Sequence, residues 1–93
     1  MATRLRIEGG GNHFQLHGEF DVSDVERVRE ALVDADSQSV EVDLAGLTFI
    51  DSSGLRALVE QREEHPGLRY ANPSDTIRRV LEIVGVSDIL LGD

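Results

Sequence analysis

Across the middle of the chain the spacing of apolar residues changes from every second position to every third or fourth, and four small polar residues mark the change. Val40, Val42 and Leu44 alternate with Glu41 and Asp43, the period of a half-buried strand. A second apolar pair, Phe49-Ile50, runs into Asp51-Ser52-Ser53-Gly54, and beyond it Leu55, Leu58 and Val59 recur at helical spacing. The chain is therefore expected to leave a strand, turn at Asp51 to Gly54 and enter a helix. At a helix start the first N–H groups lack partners within the helix, and the aligned peptide dipoles concentrate partial positive charge there. A hydroxyl at that spot caps the helix, and it also stands where a phosphate is well received. Residue type alone leaves both readings open, because Asp, Ser and Gly are what any helix start and tight turn prefer. Ser52 or Ser53 could do no more than accept one N–H bond.

The flanking sequence supplies the rest of a small domain. Leu5 and Ile7 alternate with Arg4, Arg6 and Glu8, and after Gly9-Gly10-Gly11-Asn12 the alternation resumes at Phe14 and Leu16, which predicts a hairpin. No helix and no Lys-Ser or Lys-Thr pair follows the three glycines, so they form a turn and not a phosphate loop. After Gly18-Glu19-Phe20-Asp21, the residues Val25, Val28, Leu32 and Ala35 share one helical face. Asp21 or Ser23 can cap this helix, Asp24 and Glu26 suit its first turn, and its end is expected near Asp34 to Ser37. The second helix should run to about Glu64, ended by His65-Pro66-Gly67, with Glu60-Gln61-Arg62-Glu63-Glu64 as a solvated face.

Leu68, Tyr70 and Ala71 predict a short fourth strand. Asn72-Pro73-Ser74 then leads into a third helix, capped by Ser74 or Asp75 and ended by Gly85, with Ile77, Val80, Leu81 and Val84 on its apolar face. Ile89-Leu90-Leu91 is expected to add a terminal strand. A hairpin followed by helix, strand, helix, strand and helix is an α/β pattern. It implies a mixed sheet of four to five strands, covered by about three helices and joined by right-handed crossovers.

Ninety-three residues make one domain, 1–93, with a single modest core. Eighteen acidic against nine basic residues give a formal charge of −9, and every basic residue is Arg. Such a surface repels phosphate backbones and anionic lipid, which argues against nucleic-acid binding and direct membrane contact and suits a basic protein partner. No window has the unbroken apolar length of a membrane span and no export signal opens the chain, so a cytoplasmic location is expected. With no cysteine there is no disulfide framework, thiolate metal site or thiol nucleophile. Four aromatic residues and no Trp offer no stacking platform for bases. His13 and His17 belong to the hairpin and His65 to a helix end, none is tied to Ser52, and the pattern Gly-x-Ser-x-Gly is absent. No His and carboxylate cluster appears at helical spacing either, so the expectation is a protein that is not an enzyme and uses no metal or cofactor.

The run Phe49-Ile50-Asp51-Ser52-Ser53-Gly54-Leu55, placed between a strand and a helix, resembles the phosphorylation motif of the bacterial anti-sigma factor antagonists. These are small STAS domain proteins that bind and neutralise anti-sigma factors. Gly18-Glu19-Phe20-Asp21 is similar to the same family's turn from the second strand into the first helix. The resemblance covers the chain from the hairpin to the third helix. It implies that Ser52 is a phosphoacceptor. A histidine-kinase-like anti-sigma factor would bind the unmodified protein, transfer the γ-phosphate of its own ATP to Ser52 and release the product, and a serine phosphatase would reverse the mark. The protein would then be a substrate and a switch in transcription regulation, with the catalysis in its partners.

The resemblance further implies a partner-binding surface built from Glu19, Asp21, Asp51, Ser53, Gly54 and Arg56. Asp21 and Asp51 read either as contacts for partner Arg side chains or as helix caps, and Ser53 as a cap in preference to a second acceptor. Gly54 permits close backbone approach or completes the turn, and Arg56 lies where family members vary. Many antagonists continue into a last helix after the terminal strand, whereas this sequence stops at Asp93. That shortness is similar to the STAS subunits of lipid-trafficking ABC transporters, which bind a transporter ATPase without a phosphorylation cycle. An accessory subunit of that kind is the alternative expectation.

Overall fold

The computed structural model describes residues 4–33 and 39–91. The first alternating segments form β1 (Leu5–Gly10) and β2 (His13–Phe20), paired antiparallel with Gly10 opposite His13, so the connection is only Gly11-Asn12. A 3-10 turn at Val22–Asp24 leads into α1 (Val25–Val33); Ala35 and the expected helix end near Asp34 to Ser37 fall outside the described residues. β3 (Val40–Ile50), α2 (Ser52–Glu64), β4 (Leu68–Ala71) and α3 (Asp75–Val84) follow. The sheet order is β1-β2-β3-β4, with β2 and β4 both parallel to β3. Each parallel pair is joined through a helix, the connection that parallel neighbours require.

The sheet is built one-sided. Val28 and Leu32 of α1 and Leu58 of α2 pack with Phe14, Leu16, Val42 and Tyr70 in one continuous apolar core. The alternate positions, Arg6 and Glu8, His13, Gln15 and His17, Glu41 and Asp43, and Arg69, are exposed or half-buried on the other face. Across that face His13 Nε2 lies 3.4 Å from a Glu41 carboxylate oxygen and His17 Nε2 3.4 Å from one of Glu8. The two hairpin histidines lie on that face, opposite Glu41 and Gly46 of β3, and His65 is the C-terminal cap of α2.

β3 keeps its period of two only at first. Its buried residues are Val40, Val42, Leu44, Leu47 and Ile50, so the spacing lengthens from two to three beyond Leu44. Two register shifts against β2 produce this: Gln15 and His17 face Asp43 and Gly46, and Gly18 and Glu19 face Leu47 and Phe49. Each inserts one extra residue into β3, as β-bulges do. Phe49 is consequently turned away from the core and is 48% exposed. β4 pairs only with Val40 to Asp43, and the farther half of β3 is tied to α3 by the Ser74 hydroxyl, which donates to the Leu47 carbonyl at 2.7 Å and caps the helix.

Two expectations need correction. The run Ile89-Leu90-Leu91 forms no strand; Ser87–Leu90 is a helical turn, α4, closed by the Leu90 and Leu91 N–H groups on the Val86 and Ser87 carbonyls. Three adjacent apolar residues have no period of their own, and here Leu90 is buried where α4 meets α2 and α3. Nor is Gln61 part of a solvated face, since it is 3% exposed. It lies three residues after Leu58 and four after Ala57, both buried, and so continues the inner stripe of α2 into the charge run. Its amide N–H donates to Glu64, and its Oε1 accepts no hydrogen bond among the described residues.

Tyr70 is buried beneath α2, and its hydroxyl donates to the Leu58 carbonyl at 2.8 Å. Burial pushes the phenol pKa far above its ordinary value, and the nearby Arg62 charge opposes this only in part. Tyr70→Phe is expected to cost about 1 kcal/mol of stability in urea unfolding, the net value of one buried hydrogen bond.

Candidate functional site

β2 and β3 run parallel and end side by side, with Phe20 opposite Ile50. The next residue of each strand is an aspartate, and each aspartate caps the segment that follows. Asp21 accepts the Ser23 N–H at 3.0 Å and caps the 3-10 turn; Asp51 accepts the Gly54 N–H at 2.8 Å and caps α2. The two caps are joined. The Asp51 N–H donates to the Phe20 carbonyl at 3.2 Å, and the second Asp51 carboxylate oxygen accepts the Val22 N–H at 3.3 Å. One carboxylate therefore satisfies a helix start and also ties together two turns thirty residues apart, which the sequence could not show.

The cap of α2 is Asp51 and not Ser52 or Ser53. No separate turn intervenes: Ser52 is the first residue of the helix and Ser53 the second. Ser52 is exposed, and among the described residues its hydroxyl has no hydrogen-bond partner. With the capping work done by a carboxylate, the hydroxyl at this helix start is left accessible. Gly54 lies behind this surface, buried against Phe20: a Cβ there would stand 2.9 Å from the Phe20 carbonyl oxygen and 3.0 Å from Ile50. Its missing side chain serves the packing of α2 on the ends of β2 and β3.

Ser52, Ser53 and Arg56 line a shallow groove between α1 and α2, with Val22, Val25, Glu26 and Glu60 as the remaining walls. The structure thus brings Asp21, Asp51, Ser52, Ser53 and Arg56 together. It leaves Glu19 apart, paired with Arg4 at 3.2 Å and opposite Phe49 in the strand register. Two residues that sequence reasoning passed over also belong here. Val22 is 65% exposed beside the linked caps. Asp24, read as a charge in a helix first turn, is 1% exposed and pairs with Arg27 at 2.8 Å, while Arg27 also donates to the Leu5 carbonyl. A buried carboxylate of this kind is retained because it is paired and hydrogen-bonded, and through Arg27 it links the start of α1 to the Leu5 carbonyl of β1.

The hydrogen bonds from the Ser23 hydroxyl and N–H hold the Asp21 carboxyl below its ordinary value of 3.8; slight desolvation opposes them and Arg4 assists. A depressed folded value means that the capping contribution is complete above the ordinary value and is lost as pH falls through the lower one. Ser23→Ala is expected to raise the Asp21 titration midpoint toward 3.8, read by carboxyl carbon NMR. At neutral pH Asp21 is ionised.

Among the described residues no group of three or more His, Cys, Asp or Glu side chains could hold a metal ion, and no helix is long and apolar enough to cross a membrane. Comparison with solved structures finds an anti-sigma factor antagonist from Mycobacterium paratuberculosis, 18% identical, with a TM-score of 0.70 over 92% of this chain and 80% of that one. It also finds the anti-sigma factor antagonist SpoIIAA in its unphosphorylated form, 23% identical, with a TM-score of 0.65 over 94% of this chain and 85% of that one. The fold of this protein is therefore the fold of those antagonists. Among curated proteins no sequence matches. The family model described as "Mlab, STAS domain" matches residues 3–92, nearly the whole sequence, and the chain accordingly belongs to the STAS domain family.

Proposed function

We propose that this protein is an anti-sigma factor antagonist, whose unmodified form binds a kinase-type anti-sigma factor and frees its sigma factor, and which phosphorylation of Ser52 switches off. The observation that carries the reading is the exposed Ser52 hydroxyl at the first residue of α2, without a hydrogen-bond partner among the described residues and beside two linked aspartate caps. In the transfer the Ser52 oxygen attacks the γ-phosphorus of ATP bound to the partner. The O–P bond forms, the bond to ADP breaks, and the hydroxyl proton leaves to a base on the kinase. A serine phosphatase restores the hydroxyl with water.

The product carries about two negative charges at neutral pH, next to Asp51 and Asp21, on a chain already at −9. An acidic surface recognises a basic partner, and the partner's ATP site brings phosphates of its own, so added charge at Ser52 weakens close docking. Asp21, Asp51, Ser53 and Arg56 are the contacts of this docking surface, Gly54 supports it from behind, and Glu19 extends it along the sheet. All of this takes place in the cytoplasm.

A second reading, an accessory STAS subunit of a lipid-trafficking ABC transporter, has one observation in its favour: the matching family model takes its description from Mlab and not from an antagonist. Affinity capture with wild type, Ser52→Ala and Ser52→Asp separates the two. The expected result is a small histidine-kinase-like ATPase recovered by wild type and the Ala form, bound roughly 5- to 150-fold more weakly by the Asp form. Equal binding of that kinase by all three proteins would sink the switch. Capture of transporter components by all three would favour the second reading.

A further inference from the structure

We propose that Arg56 is the internal ligand of a phosphate carried on Ser52, so that the modified protein holds its own phosphate in the groove between α1 and α2. The inference rests on the reading of Ser52 as a phosphoacceptor and assigns the fate of the group after transfer. Ser52 and Arg56 are four residues apart on α2, which places them on one helix face, and both line the same groove. Cα–Cβ bonds tilt toward a helix N-terminus, so a long side chain at position 56 reaches back over position 52 and not away from it.

The charges of the groove make Arg56 available. Glu26 and Glu60 also line it, yet both already pair with Arg29, which stands outside the lining. Asp51 is engaged by the Gly54 and Val22 N–H groups, and Asp21 by Ser23. Arg56 is exposed and has no ion pair or hydrogen bond among the described residues. It is a cation with no ion pair among the described residues, one helical turn from an exposed hydroxyl, in a chain of charge −9.

The chemistry of the side chain suits a phosphate. A guanidinium presents a planar fork of N–H donors that matches two phosphate oxygens at once, which an ammonium group does not. Val22 and Val25 form the opposite wall, and apolar walls limit the screening of a charge pair beside them. Held in this way, the phosphate fills the groove as well as charging it. The modification then changes the shape of the surface between α1 and α2 in addition to its potential.

The test uses the full chain with phosphoserine installed at position 52 by genetic encoding, in three backgrounds: wild type, Arg56→Gln and Arg56→Lys. Phosphorus NMR follows the second ionisation of the phosphate with pH. An adjacent cation favours the dianion, so the midpoint in the Arg56 protein is expected about 0.3 pH unit below that of Arg56→Gln at low salt, with Arg56→Lys between them. In 1 M salt the gap should shrink. Coincident midpoints at low salt would overturn the proposal.

Thermal unfolding gives a second readout. Arg56→Gln should lower the midpoint of the phosphorylated protein by more than that of the unmodified one. An equal change in both would mean that Arg56 acts on the helix and not on the phosphate, which also overturns the proposal. Because the phosphate is installed during synthesis, these results do not depend on any cellular kinase. Failure of the switch itself would show instead as a Ser52 that is never phosphorylated in the cell, with the contact to Arg56 intact in the installed form.

Discussion

Phe20→Ala is expected to lower the free energy of unfolding by about 3–5 kcal/mol, the usual cost of emptying a buried phenylalanine site. For a domain of this length the total is about 5–14 kcal/mol, so the substitution removes a large share of it. Phe20 is 0% exposed, it pairs with Ile50 at the end of the parallel strands, and its carbonyl accepts the Asp51 N–H. Its ring carbon Cγ lies where a Cβ on Gly54 would come within 3.1 Å, so α2 rests directly on it. The backbone bond to Asp51 survives truncation, but the surface that seats the helix does not. Urea unfolding followed by circular dichroism measures the loss, with Phe20→Leu as a variant that keeps most of the volume and should lose less than about 1.5 kcal/mol. A loss under 1 kcal/mol for the alanine variant would show that the seat of α2 lies elsewhere.

Gly18→Ala should cost about 2–5 kcal/mol, from a backbone conformation that L side chains rarely adopt together with a steric overlap that only the backbone can relieve. Gly18 has φ +96°, and a Cβ there would stand 2.1 Å from the Arg4 carbonyl oxygen, the group that accepts the Glu19 N–H. β1 and β2 would have to separate at this end, just before the strand delivers Phe20 and Asp21. Gly10→Ala is the matched control, because a Cβ at that position meets nothing within 4 Å. Its unfolding midpoint should stay near that of wild type or rise slightly, since alanine lowers the entropy of the unfolded chain; a comparable loss at both positions would show that the contact with Arg4 is not the cause.

The elements that sequence alone located share one property: a single period sustained over several residues. The hairpin, the first part of β3, and the apolar faces of α2 and α3 through Ile77 and Leu81 all have it, and the structure follows them, except that Val84, expected on the same face of α3, is 54% exposed. Where the period broke, reading failed. The two bulges of β3 change its spacing to three, so nothing in the pattern placed Leu47 inside and Phe49 outside. Gln61 was hidden within a charge run, although its distance from Leu58 held the signal. The motif at Asp51 to Gly54 was legible as a helix start, and Asp21 and Asp51 as caps. The bond from Val22 to Asp51 was not, because it depends on which strands are neighbours, and the parallel pairing of β2 with β3 is a property of topology.

The uncovered face of the sheet offers a practical handle for the binding experiments. The chain contains no cysteine, so one introduced thiol is a unique point of attachment. At Gln15 or Glu41 such a thiol would lie on a face that no helix among the described residues covers, several residues before the strand ends that deliver Asp21 and Asp51. A bead or sensor chip coupled there would orient every molecule alike, with the Ser52 edge presented to whatever flows past.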